Sequence, residues 1–256
     1  MIDALAIVDP SAQLADDVVV GPWTIIGPNV VIGEGTIIAS HVVLKGPTTI
    51  GKNNKIFQFC TIGEDCQDKK FKGEATRLEI GDGNIFREAC TVHRGTTQDK
   101  SLTKIGNHNL FMVNVHVAHD VIVGDNCILA NDTNIAGHVH IGDTAILGGS
   151  SQVHQFVQIG SHSMCGTGSI VLKDVPAYIM ANGNSAKPHG INSEGLKRRG
   201  FSANDISVLR NAYKFVYRKG LTLSDALLEL NTLLPQSKSV ELFIESLNQS
   251  TRGIIR

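Results

Sequence analysis

The sequence is short of aromatic side chains, which make up 5% of its 256 residues and include a single Trp. That shortage argues against a sandwich built on a bulky core. Cysteine is scarce and unpaired. Cys60, Cys66, Cys90, Cys127 and Cys165 are odd in number and form no CxxC. Neither a disulfide framework nor a structural zinc site is expected, and a reducing compartment fits. A strong charge of either sign is also missing. The formal net charge is −1, which gives no electrostatic case for nucleic acid. No apolar run approaches the ~20 residues of a membrane span. The opening segment, MIDALAIVDPSAQLADD, is acidic where a secretory signal needs to be basic. A soluble cytoplasmic protein with no membrane span is therefore expected. Glycine, in contrast, is plentiful at 26 residues, which suits a narrow solenoid with small corners.

An internal repeat dominates what is present. Every sixth residue from Val8 is aliphatic: Val8, Leu14, Val20, Ile26, Ile32, Ile38, Leu44, Ile50, Ile56 and Ile62. The phase returns at Ile80, Phe86 and Val92, slips by one residue, and resumes from Ile105 to Val171. One inward aliphatic per hexapeptide describes a parallel β-helix with three short faces, each coil using three hexapeptides. About 25 hexapeptides then make about eight coils, stacked at roughly 4.8 Å. Two polar segments, at about 64–79 and 94–104, break the pattern and read as loops, which on a rigid scaffold often carry function.

The period fades after Val171, and PAYIMANGNSAKPHGIN reads as an extended exit. The expected division is 1–190 for the solenoid and 191–256 for a helical region that caps it. Ser202-x-x-Asp205 forms a capping box ahead of Ile206, Leu209, Tyr213 and Val216. Thr222-x-x-Asp225 starts a second helix, expected to stop at Pro235, and a third covers Val240 to about Leu247.

Most of the ten histidines fall between His93 and His189. Adding one coil to His119 gives Gly137, and another gives Gln155, so the three are expected to stack on adjacent rungs. Asp120 likewise falls under His138. An imidazole beside a main-chain amide offers the two things acyl transfer needs: a base for the attacking hydroxyl and a donor for the oxyanion. Asp120 could orient the ring. A lone His on a solenoid corner is ordinarily solvated or stacked, and His41, His108 and His162 are read that way. A zinc site of the gamma carbonic anhydrase type is the rival functional reading.

Over nearly its whole length the chain resembles the UDP-N-acetylglucosamine O-acyltransferase family. CTVHRGT, NLFMVNVHVAHD, AGHVHIG, VHQF, INSEGLKRRGF and STRGIIR carry the resemblance. The resemblance implies a left-handed β-helix, a homotrimer with sites between subunits, and no metal or cofactor of the protein's own. It implies an acyl carrier protein as donor, through its phosphopantetheine, and UDP-N-acetylglucosamine as acceptor. His119 then stands as the general base, Asp120 as its partner and the Gly137 amide as the oxyanion donor. His116, His138, His154 and Gln155 would line the sugar and acyl site, with Asp68 and Lys70 reaching the sugar from a neighbouring subunit. Asn192, Glu194, Arg198 and Arg199 would contact the nucleotide. Arg suits a diphosphate because its planar fork donates two hydrogen bonds. Thr167 would stop the acyl tail, shortening it relative to an enzyme with Gly there. The basic stretch Lys197, Arg198, Arg199, Arg210, Lys214, Arg218 and Lys219 could receive the acidic carrier. An acceptor with a 3-amino group remains the alternative within this fold. A relative with an extra N-terminal uridine-binding domain is not matched, because the repeat begins at Val8.

Overall fold

The computed structural model describes all 256 residues. Two-residue strands such as Ile7–Val8, Gln13–Leu14 and Val19–Val20 alternate with tight corners. The second residue of each such strand points inward, and from Val20 onward it is buried. Each fully buried Val, Leu or Ile contributes roughly 1.5–3 kcal/mol. The strands form three parallel sheets of nine, eight and ten members that wrap a single core. The narrow corners force positive φ on side chains that seldom take it, including Trp23, Phe59 and Phe156, as well as on Asp120 and His138.

Stacked partners are one coil apart, as in Ile7↔Ile25 and Ile25↔Val43. Two rungs exceed this. Thr48 pairs with Leu78, 30 positions on, and Leu78 pairs with Thr103, 25 positions on. Subtracting the usual 18 leaves insertions of 12 and 7 residues. Twelve is two hexapeptides, so the phase survives. Seven is one hexapeptide plus one residue, which is the slip seen in the sequence.

The excursions are shorter than their charge suggested. Strands Thr61–Glu64, Arg77–Ile80 and Leu102–Ile105 claim the ends, leaving 65–76 and 94–101 outside the coil. Leu78 and Ile80 are buried while Arg77 and Glu79 pair on the outer face. A run rich in charge can therefore be one face of a strand.

The extended exit is also corrected. Ile179–Asn182 lies parallel to Met164–Cys165 and antiparallel to Lys187–Ile191, adding a hairpin to the third sheet. Four helices follow: α1 (Ser193–Arg198), α2 (Ala203–Tyr217), α3 (Leu223–Asn231) and α4 (Ser239–Asn248). The capping box is present at Ser202 and Asp205. Pro235 does not stop α3, which ends at Asn231. It sits instead at the start of a 3₁₀ turn, where a missing N–H does no harm. The helices are seated on the hairpin's approach. The Ala177 N–H donates to Ser246 Oγ, and the Tyr178 hydroxyl to the Ser239 carbonyl. No helix is long and apolar enough to cross a membrane.

Candidate active site

His119 lies in the corner between His116–Val117 of the first sheet and Ile122–Val123 of the second. Gly137, His138, His154 and Gln155 occupy the same corner on the next two coils. Both excursions leave this corner on the two coils before it: 65–76 joins Thr61–Glu64 to Arg77–Ile80, and 94–101 joins Thr91–His93 to Leu102–Ile105. The hexapeptide phase delivers the histidines to one edge of the prism, and the insertions wall that edge.

Asp120 is buried and sits 2.9 Å, through Oδ2, from Nδ1 of His119. Its carboxylate also accepts the Thr96 N–H, at 2.9 and 3.1 Å to its two oxygens, and the Thr96 hydroxyl at 2.6 Å. Burial pushes this carboxyl up, but the hydrogen bonds from His119 and Thr96 outweigh it and hold it below the ordinary value. An ionised carboxylate can only accept, so Nδ1 carries the proton and Nε2 is the free basic nitrogen. The ring is largely covered, 14% exposed, and lies flush against Gly137. A Cβ at that position would meet Cε1 at 2.5 Å and Nε2 at 2.6 Å. The Gly137 N–H donates to no protein acceptor, while its carbonyl accepts from Phe156 N. His119, Asp120 and Gly137 thus come together as the coil register requires.

The other histidines take distinct places. His138 presents its ring edge-on to His119 at 5.0 Å and stacks on Phe156 at 4.4 Å. Its Nδ1 lies 3.3 Å from Asp99 and 3.9 Å from Asp120. His116 meets Thr91 Oγ1 through Nδ1 at 2.8 Å, and burial, then the neighbouring His119, pushes its pKa down. His154 and Gln155 are exposed, with His154 Nδ1 3.1 Å from the Gln155 carbonyl. Asp68 accepts from the Lys70 N–H, and that bond is the main reason its carboxyl lies below the usual range; the nearby His119 adds to it. Lys70 Nζ is 3.5 Å from Gln98, so the two loops meet. Thr96, Asp99, Thr91 and Phe156 escaped the sequence reading. Counting faces would have assigned the two excursions to this corner, since Ile62, Val92 and Val117 all lie in strands of one sheet, but not the places of the residues within them.

Other expected residues lie away from this corner. Asn192 is buried and caps α1, accepting from Gly195 N and donating to the His162 carbonyl. Glu194 pairs with Arg198. Arg199 donates to the Thr144 carbonyl at 3.0 Å, at the corner between the second and third sheets. Thr167 is exposed at the corner between the third and first sheets.

His119, Asp120 and His138 each offer a ligand atom within 4.8 Å of the others. A cation there would compete with the Thr96 and His119 hydrogen bonds for Asp120.

The family model described as Udp N-acetylglucosamine O-acyltransferase, domain 2, matches residues 174–255. The bacterial transferase hexapeptide model matches 11–46 and 102–137. An acyl-[acyl-carrier-protein]–UDP-N-acetylglucosamine O-acyltransferase from Stutzerimonas stutzeri is 57% identical over 256 residues, covering 100% of this chain and 99% of its own. The chain belongs to the UDP-N-acetylglucosamine O-acyltransferase family. A Tolumonas auensis member is 65% identical over 211 residues, covering 82% of this chain and 80% of its own. The solved structure of LpxA from Acinetobacter baumannii has a TM-score of 0.98 at 57% identity, over 100% of this chain and 99% of that one. Family membership thus agrees with the resemblance carried by CTVHRGT, NLFMVNVHVAHD and AGHVHIG.

Proposed function

We propose that this enzyme moves a (R)-3-hydroxyacyl chain from acyl carrier protein to the 3-hydroxyl of UDP-N-acetylglucosamine, opening lipid A synthesis. The name shared by its relatives gives the carrier, the acceptor and transfer to oxygen; the hydroxyacyl chain and the 3-hydroxyl belong to the reading proposed here. The observation that carries the mechanism is the Asp120 carboxylate on Nδ1 of His119, with that ring packed against Gly137, whose N–H has no protein acceptor. Nε2 of His119 takes the proton of the sugar hydroxyl as its oxygen attacks the thioester carbonyl. The Gly137 N–H receives the developing oxyanion. Collapse of the tetrahedral intermediate expels the carrier thiolate, which takes the proton back from the imidazolium. Asp120 stabilises that cation and fixes its tautomer. No metal or cofactor of the protein's own enters this chemistry.

The reading includes a left-handed coil and a homotrimer. No principal cavity of the single chain contains His119. Arg199 is anchored one corner away. A nucleotide held by Asn192, Glu194, Arg198 and Arg199 would reach His119 most simply if a second copy supplied that segment. Asp68 and Lys70, on the first excursion, would then contact the sugar bound with a neighbouring copy. His116, His138, His154 and Gln155 would then line the sugar and acyl cleft, and Thr167 would set its depth.

The carrier would meet the helical region. Arg210, Lys214 and Arg218 line a cavity of about 350 Å³ beside Tyr213, with no acidic residue in its wall. Arg198 is paired with Glu194, whereas these three have no acidic partner, which favours them as receptors for an acidic carrier. All five cysteines are free and buried, in keeping with a reducing cytoplasm. The reading is tested by offering carrier protein loaded with hydroxyacyl chains of several lengths, against UDP-N-acetylglucosamine and its 3-amino analogue. Ester product from the hydroxyl sugar is expected; preferential amide formation would shift the acceptor to the amino sugar.

A further inference from the structure

The excursion 94–101 is an insertion into the coil, and it places one buried side chain on the Asp120 carboxylate. Thr96 is 2% exposed. It delivers both a main-chain N–H and a hydroxyl to Asp120, the hydroxyl bond being the shorter at 2.6 Å. Asp120 is pinned from its own backbone as well, because its N–H donates to Thr103 Oγ1 at 2.8 Å. The loop is itself held in place. Arg94 is buried and donates to the Gly63 carbonyl at 2.5 Å and to Asp65 at the root of the first excursion. The Ser101 N–H closes back on the Thr96 carbonyl at 3.0 Å.

We propose that Thr96 is a positioning residue for the reaction, its two donors fixing the Asp120 carboxylate so that Oδ2 faces Nδ1 of His119. A carboxylate on a corner would otherwise rotate about its terminal torsion, which is broad and roughly two-fold. With the Thr96 donors in place, the direction toward His119 Nδ1 is set before substrate arrives. Thr96 acts through Asp120 and touches neither the substrate nor the imidazole. This inference rests on the His119–Asp120 reading above, and the test separates the two.

The test is a double-mutant cycle in the full-length enzyme, using hydroxyacyl carrier protein and UDP-N-acetylglucosamine. Thr96→Val removes the hydroxyl, keeps the volume and leaves the main-chain donor. It is expected to lower kcat about 10-fold with KM changed less than about twofold, as loss of one hydrogen bond to a charged group implies. Thr96→Ser should restore kcat to within about threefold of the unaltered enzyme, because it returns the hydroxyl donor. Combined with Asp120→Asn, Thr96→Val should add less than about a further twofold, because its route of action is already broken. Wild-type kcat in Thr96→Val, or a full loss of about 10-fold on top of Asp120→Asn, overturns the assignment. If Thr96→Val disturbs the loop and does not fold, Thr96→Ala enters the same cycle. Near-normal turnover in Asp120→Asn alone would remove the His119–Asp120 reading, and this inference with it.

Discussion

Gly137 offers the sharpest perturbation, because adding one methyl changes one distance and little else. In Gly137→Ala the new Cβ would sit 2.5 Å from Cε1 and 2.6 Å from Nε2 of His119. Ordinary contact begins near 3.4 Å, so the ring must retreat by 3.4 − 2.5, about 0.9 Å. The clashing atoms belong to a side-chain ring that can rotate, so the backbone need not yield. The cost falls on catalysis. The 2.9 Å bond to Asp120 bends or breaks, and Nε2 is pushed away from Gly137. A displacement of about 1 Å in a reacting group costs on the order of 10² in rate, or about 2.7 kcal/mol of transition-state stabilisation. Steady-state kinetics should show kcat down by that order with KM little altered, while a urea midpoint stays near that of the unaltered protein. Unchanged kcat would refute the claim that the ring and the amide share one tight space.

Thr167→Gly should lengthen the preferred acyl chain, read by mass spectrometry of the product; each added methylene gains about 0.8 kcal/mol on burial, and an unchanged product length removes Thr167 as the stop. Activity should survive a chelator, and loss that zinc restores would revive a metal role for His119, Asp120 and His138. Stability should fall on acidification. Burial, more than the neighbouring His116, holds His93 down at about 4, below its ordinary 6.5. The unfolded chain therefore binds that proton first, and stability present above pH 6.5 is lost between 6.5 and 4, about 3 kcal/mol for this group. Urea midpoints across that range should show a slope that His93→Gln flattens; an equal slope in both proteins contradicts it.

The fold was legible because one inward aliphatic every six residues leaves few architectures open. Those positions needed no help from context: Val20, Ile26 and Ile32 are buried as their spacing required. What escaped was polar. Asn54, Asn84 and Asn109 form a ladder inside the coil, each amide bonded to its neighbour or to the rung above. Hydropathy reads Asn as solvated, and only stacking makes its burial tolerable. The excursions were over-extended for a related reason, since Arg77 and Glu79 look like loop until their alternation with Leu78 and Ile80 is noticed. At the site, the stack of His119 on Gly137 followed from arithmetic. Thr96 did not, because the inserted residues set its position and no period governs them. Phe156, against His138, sits at a corner where side chains of many kinds occur.

The central claim is that Nε2 of His119 is the base. The direct measurement is turnover of His119→Ala with hydroxyacyl carrier protein and UDP-N-acetylglucosamine, taken beside its circular dichroism spectrum. A fall on the order of 10² or more with the spectrum unchanged is the expected result. Turnover close to that of the unaltered enzyme would contradict the account.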